Sequence, residues 1–510
     1  MTPSKAPRLQ ISRLSAGKKN LLAYYFNFAT VAIVGLAVNP LLLGALGATS
    51  FGLLKSTQRY LDFASVADGR SAQALKWIVA NRSAEDAIDR KRDIAAALIV
   101  WLACLPVLIA LATLITLTVP TLIAGFPADM RAVLNVTAAL LAGNLVLSGL
   151  LSIPDSVLVG VNLGYRSMLV TTVATVLANI GMVVSAMAGA GMVGVALSVL
   201  VGAAVNGVAT YFLAKRDVPW FGVAKPSAAD IRRVFGFSAW TLGWTAIEKL
   251  YLSAELILVG LLVGAVGVAH YTFTAYALQF ILVIGLITAS GYMPSVGILL
   301  GRGDQKAASD VVANVRRNVI VVVMLMCAFT FAFNGTFVRV WAGPAQYMGD
   351  SVNALLVLLT LQLCLVRLDS QILDSALRMQ GKVIVGSLAA LLSLGAGVVA
   401  YGLSGTLEVA LIAVIAVRLL ASVVFPLLVR RALPFAGYPT PSLILGFVLC
   451  SLSYLVSTMV SAGLPVSQIA LMVSIWSVLM VIYAFWGLRF SPRRVNPFTR
   501  LLGQSRRSNE

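Results

Sequence analysis

The 510-residue chain is 59% hydrophobic and 11% charged, with a mean hydropathy of +0.93. That balance excludes a soluble globule and defines an integral membrane protein. Its 38 Lys and Arg against 19 Asp and Glu would point to nucleic acid in a soluble chain, but in a membrane chain they mark the cytoplasmic loops. The sequence has no G-x-x-x-x-G-K-[ST] phosphate loop, no H-E-x-x-H and no long extramembrane segment. An ATPase, a zinc protease and any enzyme that assembles its groups outside the bilayer are thereby excluded. Cys104, Cys327, Cys364 and Cys450 sit in apolar runs without paired spacing. They read as small buried hydrophobes, neither a disulfide framework nor a metal site.

Residues 1–19 form a basic tail with Lys5, Arg8, Arg13, Lys18 and Lys19. The apolar run behind it lacks a small-residue cleavage site, so it reads as a retained first span. At about 20 apolar residues per crossing, fourteen spans follow, at 20–44, 51–80, 94–118, 132–154, 167–188, 193–213, 236–262, 267–299, 318–340, 351–375, 383–402, 407–429, 442–461 and 466–488. The clusters Arg90-Lys91-Arg92, Lys215-Arg216, Arg232-Arg233, Arg316-Arg317, Arg430-Arg431 and Arg493-Arg494 fall on one side, and Arg131 and Arg339 on the other. Basic loops stay inside, so both termini are expected in the cytoplasm.

The chain also repeats at an offset near 215. GATSFGLLKSTQRYLDF (47–63) lies over GAVGVAHYTFTAYALQF (264–280), VNLGYR (161–166) over RMQGKV (378–383), and GMVGVAL (191–197) over GTLEVAL (405–411). Three matches in one order predict an all-α polytopic membrane fold of two parallel six-helix lobes plus a C-terminal helix pair. The expected divisions are an N-lobe at 20–216, a cytoplasmic loop at 217–235, a C-lobe at 236–431, the pair at 442–488 and a basic tail at 489–510. Repeated lobes of this kind flank a midplane substrate site in transporters.

Span 2 carries Lys55, Arg59, Asp62, Asp68, Arg70 and Lys76. On a continuous helix Lys55, Arg59, Asp62, Arg70, Gln73 and Lys76 form one stripe about 31 Å long, with Asp68 on the other face serving packing. A central charge facing lipid costs about 2.5 to 3.5 kcal/mol, so the stripe must meet a partner or water. One reading is a salt-bridge ladder through Arg59 and Asp62. The other is a hydrated cationic wall, favoured because four cations exceed two carboxylates and the excess calls for an anionic substrate. In span 7, Trp244, Glu248, Tyr251 and Glu255 share a face, beside Lys249. Glu248 and Glu255, with Asp62, are candidates for coupling to H+ or Na+, and ion pairing to another span is the alternative for the glutamates. His270 reads either as a pH sensor or as a hydrogen-bonded structural imidazole. Arg418, and Arg367 with Asp369 and Asp374, read as structural pairs.

LGALGATSFGLLKSTQRYLDF, ILVGLLVGAVGVAHYTFTAYAL, the Pro-bearing MPSVGILLGRGDQ (293–305) and VWAG (340–343) together resemble the polysaccharide (O-antigen or exopolysaccharide) flippases of the multidrug, oligosaccharidyl-lipid and polysaccharide exporter superfamily. Asp68-Gly69-Arg70 departs from the Asp-Leu-Gly of that family. The resemblance implies a cavity lined by spans 1, 2, 7 and 8 in the bacterial cytoplasmic membrane. It also implies a cargo, an undecaprenyl-diphosphate-linked oligosaccharide moved from the inner to the outer leaflet by alternating access. Polysaccharide polymerase and glycosyltransferases would be its partners, with no cofactor and no nucleic acid. The residues agree. Arg59, Lys55, Arg70 and Lys249 suit a diphosphate, and Tyr24, Tyr25, Asn27, Asn39, Tyr276 and Gln279 suit sugars. A lipid II flippase is the alternative, and a cation-coupled drug exporter is disfavoured by the basic wall.

Overall fold

The computed structural model describes residues 6–81, 86–290, 292–301, 303–376, 378–461 and 466–489. Among them the chain is helical: α1 (Ala6–Ala64), α2 (Ser71–Asn81), α3 (Ala87–Leu122), α4 (Arg131–Gly160), α5 (Gly164–Met187), α6 (Gly191–Asp217), α7 (Ala228–Leu262), α8 (Ala265–Thr274), α9 (Tyr276–Ser290), α10 (Met293–Gly301), α11 (Gln305–Ala342), α12 (Asp350–Ser375), α13 (Met379–Ser404), α14 (Leu407–Ala432), α15 (Thr440–Ser461) and α16 (Val466–Arg489). The basic ends, including Lys5, Arg493 and Arg494, lie outside the described residues.

Ten of these helices are long and apolar enough to cross a membrane, or eleven if the bent pair α8 and α9 counts as one span. The expected fourteen is larger for identifiable reasons. At 1.5 Å per residue α1 is about 88 Å long, far more than one crossing, and it turns at Gly47 with φ 77°, a backbone that only glycine adopts cheaply. The two arms of α1 were counted as separate spans from sequence.

Two compact units divide the chain, Met1–Ala269 and His270–Glu510. The expected division lay in the 217–235 loop. It falls one helix later because α7 packs with α1, α2 and α3. A capping box starts α7: the Ser227 hydroxyl accepts from the Asp230 N–H at 3.2 Å, and the Asp230 carboxylate accepts from the Ser227 N–H at 2.9 Å. Helices within each unit meet through small residues, the general solution where lipid removes the hydrophobic drive. In the first unit Gly202 rests on Ala178 and Gly207 on Leu151. In the second, Gly446 of α15 rests on Met324 and Gly487 of α16 on Val321, which binds the terminal pair to α11. Trp476 Nε1 donates to Ser453 Oγ at 2.7 Å and Tyr483 to the Ser442 carbonyl at 2.8 Å, closing that pair.

The repeat is visible in the backbone. Positive-φ glycines recur near an offset of 217, at Gly47 and Gly264, Gly125 and Gly343, and Gly189 and Gly405. Helix lengths recur with them, 36 and 38 residues for α3 and α11, and 27 and 26 for α6 and α14.

Candidate functional site

The charged residues of the second arm do not lie on one continuous helix. After Ala64 the chain makes a 3-10 turn at Ser65–Asp68, Gly69 takes φ 71° and Arg70 φ 48°, and α2 begins at Ser71. The expected stripe from Lys55 to Lys76 is therefore broken in its lower half. Local chemistry explains the break. Ser65 Oγ donates to the Asp62 carbonyl at 2.7 Å, and Asp68 Oδ1 accepts the Arg70 N–H at 2.8 Å, an Asx-type turn. A Cβ on Gly69 would meet Cys104 Sγ at 2.6 Å, so the break packs on the middle of α3. Asp68, expected on a packing face, instead turns back toward Arg70. The Asp68-Gly69 dipeptide is a turn signal that a hydropathy window passes over.

The break gathers the charges rather than dispersing them. Asp62 Oδ2 lies 3.9 Å from Arg59 Nη1, and Asp62 Oδ1 lies 3.9 Å from Lys249 Nζ on α7. Arg70 Nε is 3.8 Å from Asp68 Oδ1. Lys249 is within electrostatic range of Arg59, Asp62, Asp68 and Arg70 together. One turn before Arg59, Lys55 lies over the Phe51 ring at 5.3 Å and has no ion-pair partner among the described residues. Lys76 of α2 lies within electrostatic range of Asp155 of α4. Asp155 escaped the sequence reading, since a single carboxylate in an apolar run carries no spacing signal. Among the described residues three cations, Arg59, Arg70 and Lys249, thus stand against two carboxylates, Asp62 and Asp68, with Lys55 one turn before Arg59; Lys76 and Asp155 form a pair of their own, and Glu248 and Glu255 of α7 have other partners.

The other expected site residues are placed differently. Tyr25 is exposed, while Asn27 accepts from Thr172 Oγ1 at 2.9 Å. Asn39 is nearly buried and donates to its own helix at the Gly35 carbonyl. Glu255 is buried and Glu248 half-buried, and both have interaction partners. The side chain of Trp244 lies outside what is described. Tyr276 and Gln279 belong to the second unit. There Tyr276 is buried 4.7 Å from the Trp341 ring centroid and 5.3 Å from that of Phe280, a packing position, whereas Gln279 is exposed.

In the second unit Asp369 pairs with Arg316 rather than Arg367, through Nε at 2.9 Å and Nη2 at 2.7 Å. Arg316, expected in a cytoplasmic loop, is 1% exposed and also lies over the Tyr438 ring at 5.0 Å. Burial and the neighbouring Asp369 carboxylate hold the Tyr438 hydroxyl well above its usual pKa. Asp374 takes a fully buried Lys382, which also donates to Ser370 Oγ at 3.1 Å. The carboxylates expected beside Arg367 thus pair with Arg316 and Lys382.

Helices of spanning length in this number define a multi-pass membrane protein. A family model described as "Polysaccharide biosynthesis protein" matches residues 87–348, just over half of the chain, and the chain belongs to that family. The family's description sets the chain in polysaccharide biosynthesis. Among solved structures, the fold is similar to the lipid II flippase MurJ in an inward closed conformation, at 14% identity and a TM-score of 0.64 over 93% of this chain and 99% of that one. It is also similar to an inward-facing multidrug resistance MATE family transporter, at 16% identity and 0.59 over 79% and 94%. A third similar structure is a MOP superfamily transporter from Pyrococcus furiosus with a binding pocket of reversed polarity, at 17% identity and 0.53 over 83% and 96%. No curated protein matches the chain.

Proposed function

We propose that this protein flips an undecaprenyl-diphosphate-linked oligosaccharide from the inner to the outer leaflet of the bacterial cytoplasmic membrane. It does so by alternating access of two six-helix lobes in a fourteen-span topology, with both termini cytoplasmic. The observation that carries the reading is the excess of cations gathered around Arg59, Lys249 and Arg70. A headgroup with about two negative charges cannot cross hydrocarbon unpaired. Fixed guanidinium and ammonium groups replace its hydration with charge-assisted bonds, bidentate at Arg59. Moving negative charge outward from a negative interior gains about 2.3 kcal/mol per charge per 100 mV.

The test is transport by variants at matched membrane abundance. Arg59→Ala abolishes it, Arg59→Lys retains part, and Asp62→Asn is milder than Arg59→Ala. If Asp62→Asn is as harmful as Arg59→Ala and the double neutral variant recovers transport, the pair is a structural ladder and the reading is wrong. Deletion of the gene accumulates the cytoplasmic lipid-linked cargo. An accumulated peptidoglycan precursor instead of a polysaccharide repeat unit would reassign the protein to lipid II. Glu248 and Glu255 are proposed to couple transport to H+ or Na+. Gln at both positions leaving the pH profile unchanged would remove that role.

A further inference from the structure

The two units hold two different kinds of ion pair. In the second unit Arg316 and Asp369 are hydrogen-bonded at 2.7 and 2.9 Å with side chains 1% and 2% exposed. In the first unit Asp62 stands 3.9 Å from both Arg59 and Lys249, and Asp68 stands 3.8 Å from Arg70 Nε. The exposures there run from 22% to 50%. At such separations no hydrogen bond forms. What remains is Coulomb attraction screened by the water that reaches these groups. The donors are accordingly open: among the described residues the side chains of Arg59 and Lys249 make no hydrogen bond, and Arg70 Nε is buried without a hydrogen-bond partner. A pair built for stability would resemble the one in the second unit. One built to be exchanged would be long, wet and short of hydrogen bonds.

We propose that Asp62 and Asp68 are displaceable internal counter-anions. They hold the cations of the empty site in place and yield them to an incoming diphosphate, and Asp62 in addition ties α1 to α7 through Lys249 until that exchange occurs. This rests on the lipid-diphosphate reading above and adds how the site discriminates. A ligand must outcompete two carboxylates, Asp62 and Asp68, so a diphosphate that engages Arg59, Lys249 and Arg70 together succeeds where a single phosphate engages too few. Asp68 has geometry of its own to keep. Asp68 still accepts the Arg70 N–H at 2.8 Å after its cation leaves, so the break survives loading.

The experiment uses the full chain in lipid nanodiscs with sodium pyrophosphate and sodium orthophosphate as probes, followed by polyprenyl diphosphate and polyprenyl monophosphate in the same discs. Wild type binds pyrophosphate more tightly than orthophosphate. Removing a screened, partly exposed pair partner changes affinity by about two- to fivefold, so Asp62→Asn tightens pyrophosphate binding by that factor and slows turnover by retaining product. Asp68→Asn tightens it as well, since its amide oxygen keeps the Arg70 N–H. Unchanged or weaker binding in Asp62→Asn overturns the exchange proposal, and that arm decides alone if the Asp68 variant does not fold. Arg59→Ala reads the underlying function separately: if it leaves pyrophosphate affinity unchanged, the diphosphate reading itself fails, whatever Asp62 does. Polyprenyl lipids preferred without a difference between diphosphate and monophosphate would assign recognition to the chain and sink the discrimination argued here.

Discussion

Gly52 shows how little room single residues leave in the first unit. A Cβ there would stand 1.8 Å from the Ala265 carbonyl oxygen and 2.6 Å from its carbon, backbone atoms that no rotamer change moves. Close by, the Ala124 N–H donates to the Gly260 carbonyl at 3.1 Å, and Tyr60 donates to the Leu122 carbonyl at 3.2 Å. Overpacking of this kind costs about 1 to 3 kcal/mol or more, so Gly52→Ala is expected to lower the thermal unfolding temperature, while Gly44→Ala, with nothing within 4 Å, does not. A melt that treats the two alike would show that the backbones separate freely. Gly69 adds a second constraint, since its φ of 71° penalises any side chain by about 1 kcal/mol even if Cys104 is trimmed. Gly69→Ala combined with Cys104→Ala should therefore recover only part of the stability lost in Gly69→Ala alone.

Elements were legible in the sequence where their signal was local. Apolar runs of about 20 residues define most crossings, and the Gly47 and Gly264 match announced the recurring turn. The break at Ser65–Arg70 was missed because a hydropathy average is blind to a turn dipeptide, and with it went the true direction of Asp68. Partners were not legible at all. Nothing in the sequence tells Asp369 to choose Arg316, 53 positions away, over Arg367 two positions before it, because helix packing and not spacing makes that choice. Stranding one member of a buried pair costs about 3 to 5 kcal/mol, whereas replacing both with apolar residues is often neutral. Asp369→Ala is thus expected to destabilise strongly in thermal unfolding, and Arg316→Met with Asp369→Leu to recover most of the loss. No recovery in the double variant would mean that the contact of Arg316 with Tyr438 matters as much as the pair.

The whole molecule has an orientation that single cysteines can read. Positive loops predict that residues in the 217–235 loop are labelled only from the cytoplasm, and residues near Asp129 and Asp350 only from outside. Cys327, Cys364 and Cys450 are buried and interfere little, and the partly exposed Cys104 is replaced by Ala as the labelling background. Labelling of the 217–235 loop from outside would invert the orientation proposed for the chain. The buried pair of Arg316 and Asp369 also bears on how the chain is made. Arg316 leaves the ribosome 53 residues ahead of Asp369. At about 5 to 20 residues per second, α11 waits about 3 to 10 s with an unmatched guanidinium that would cost about 2.5 to 3.5 kcal/mol in lipid. Helix α11 is therefore expected to gain stability in the bilayer when α12 follows it, and truncation before Asp369 is expected to lower the membrane insertion of α11 in a glycosylation-mapping assay.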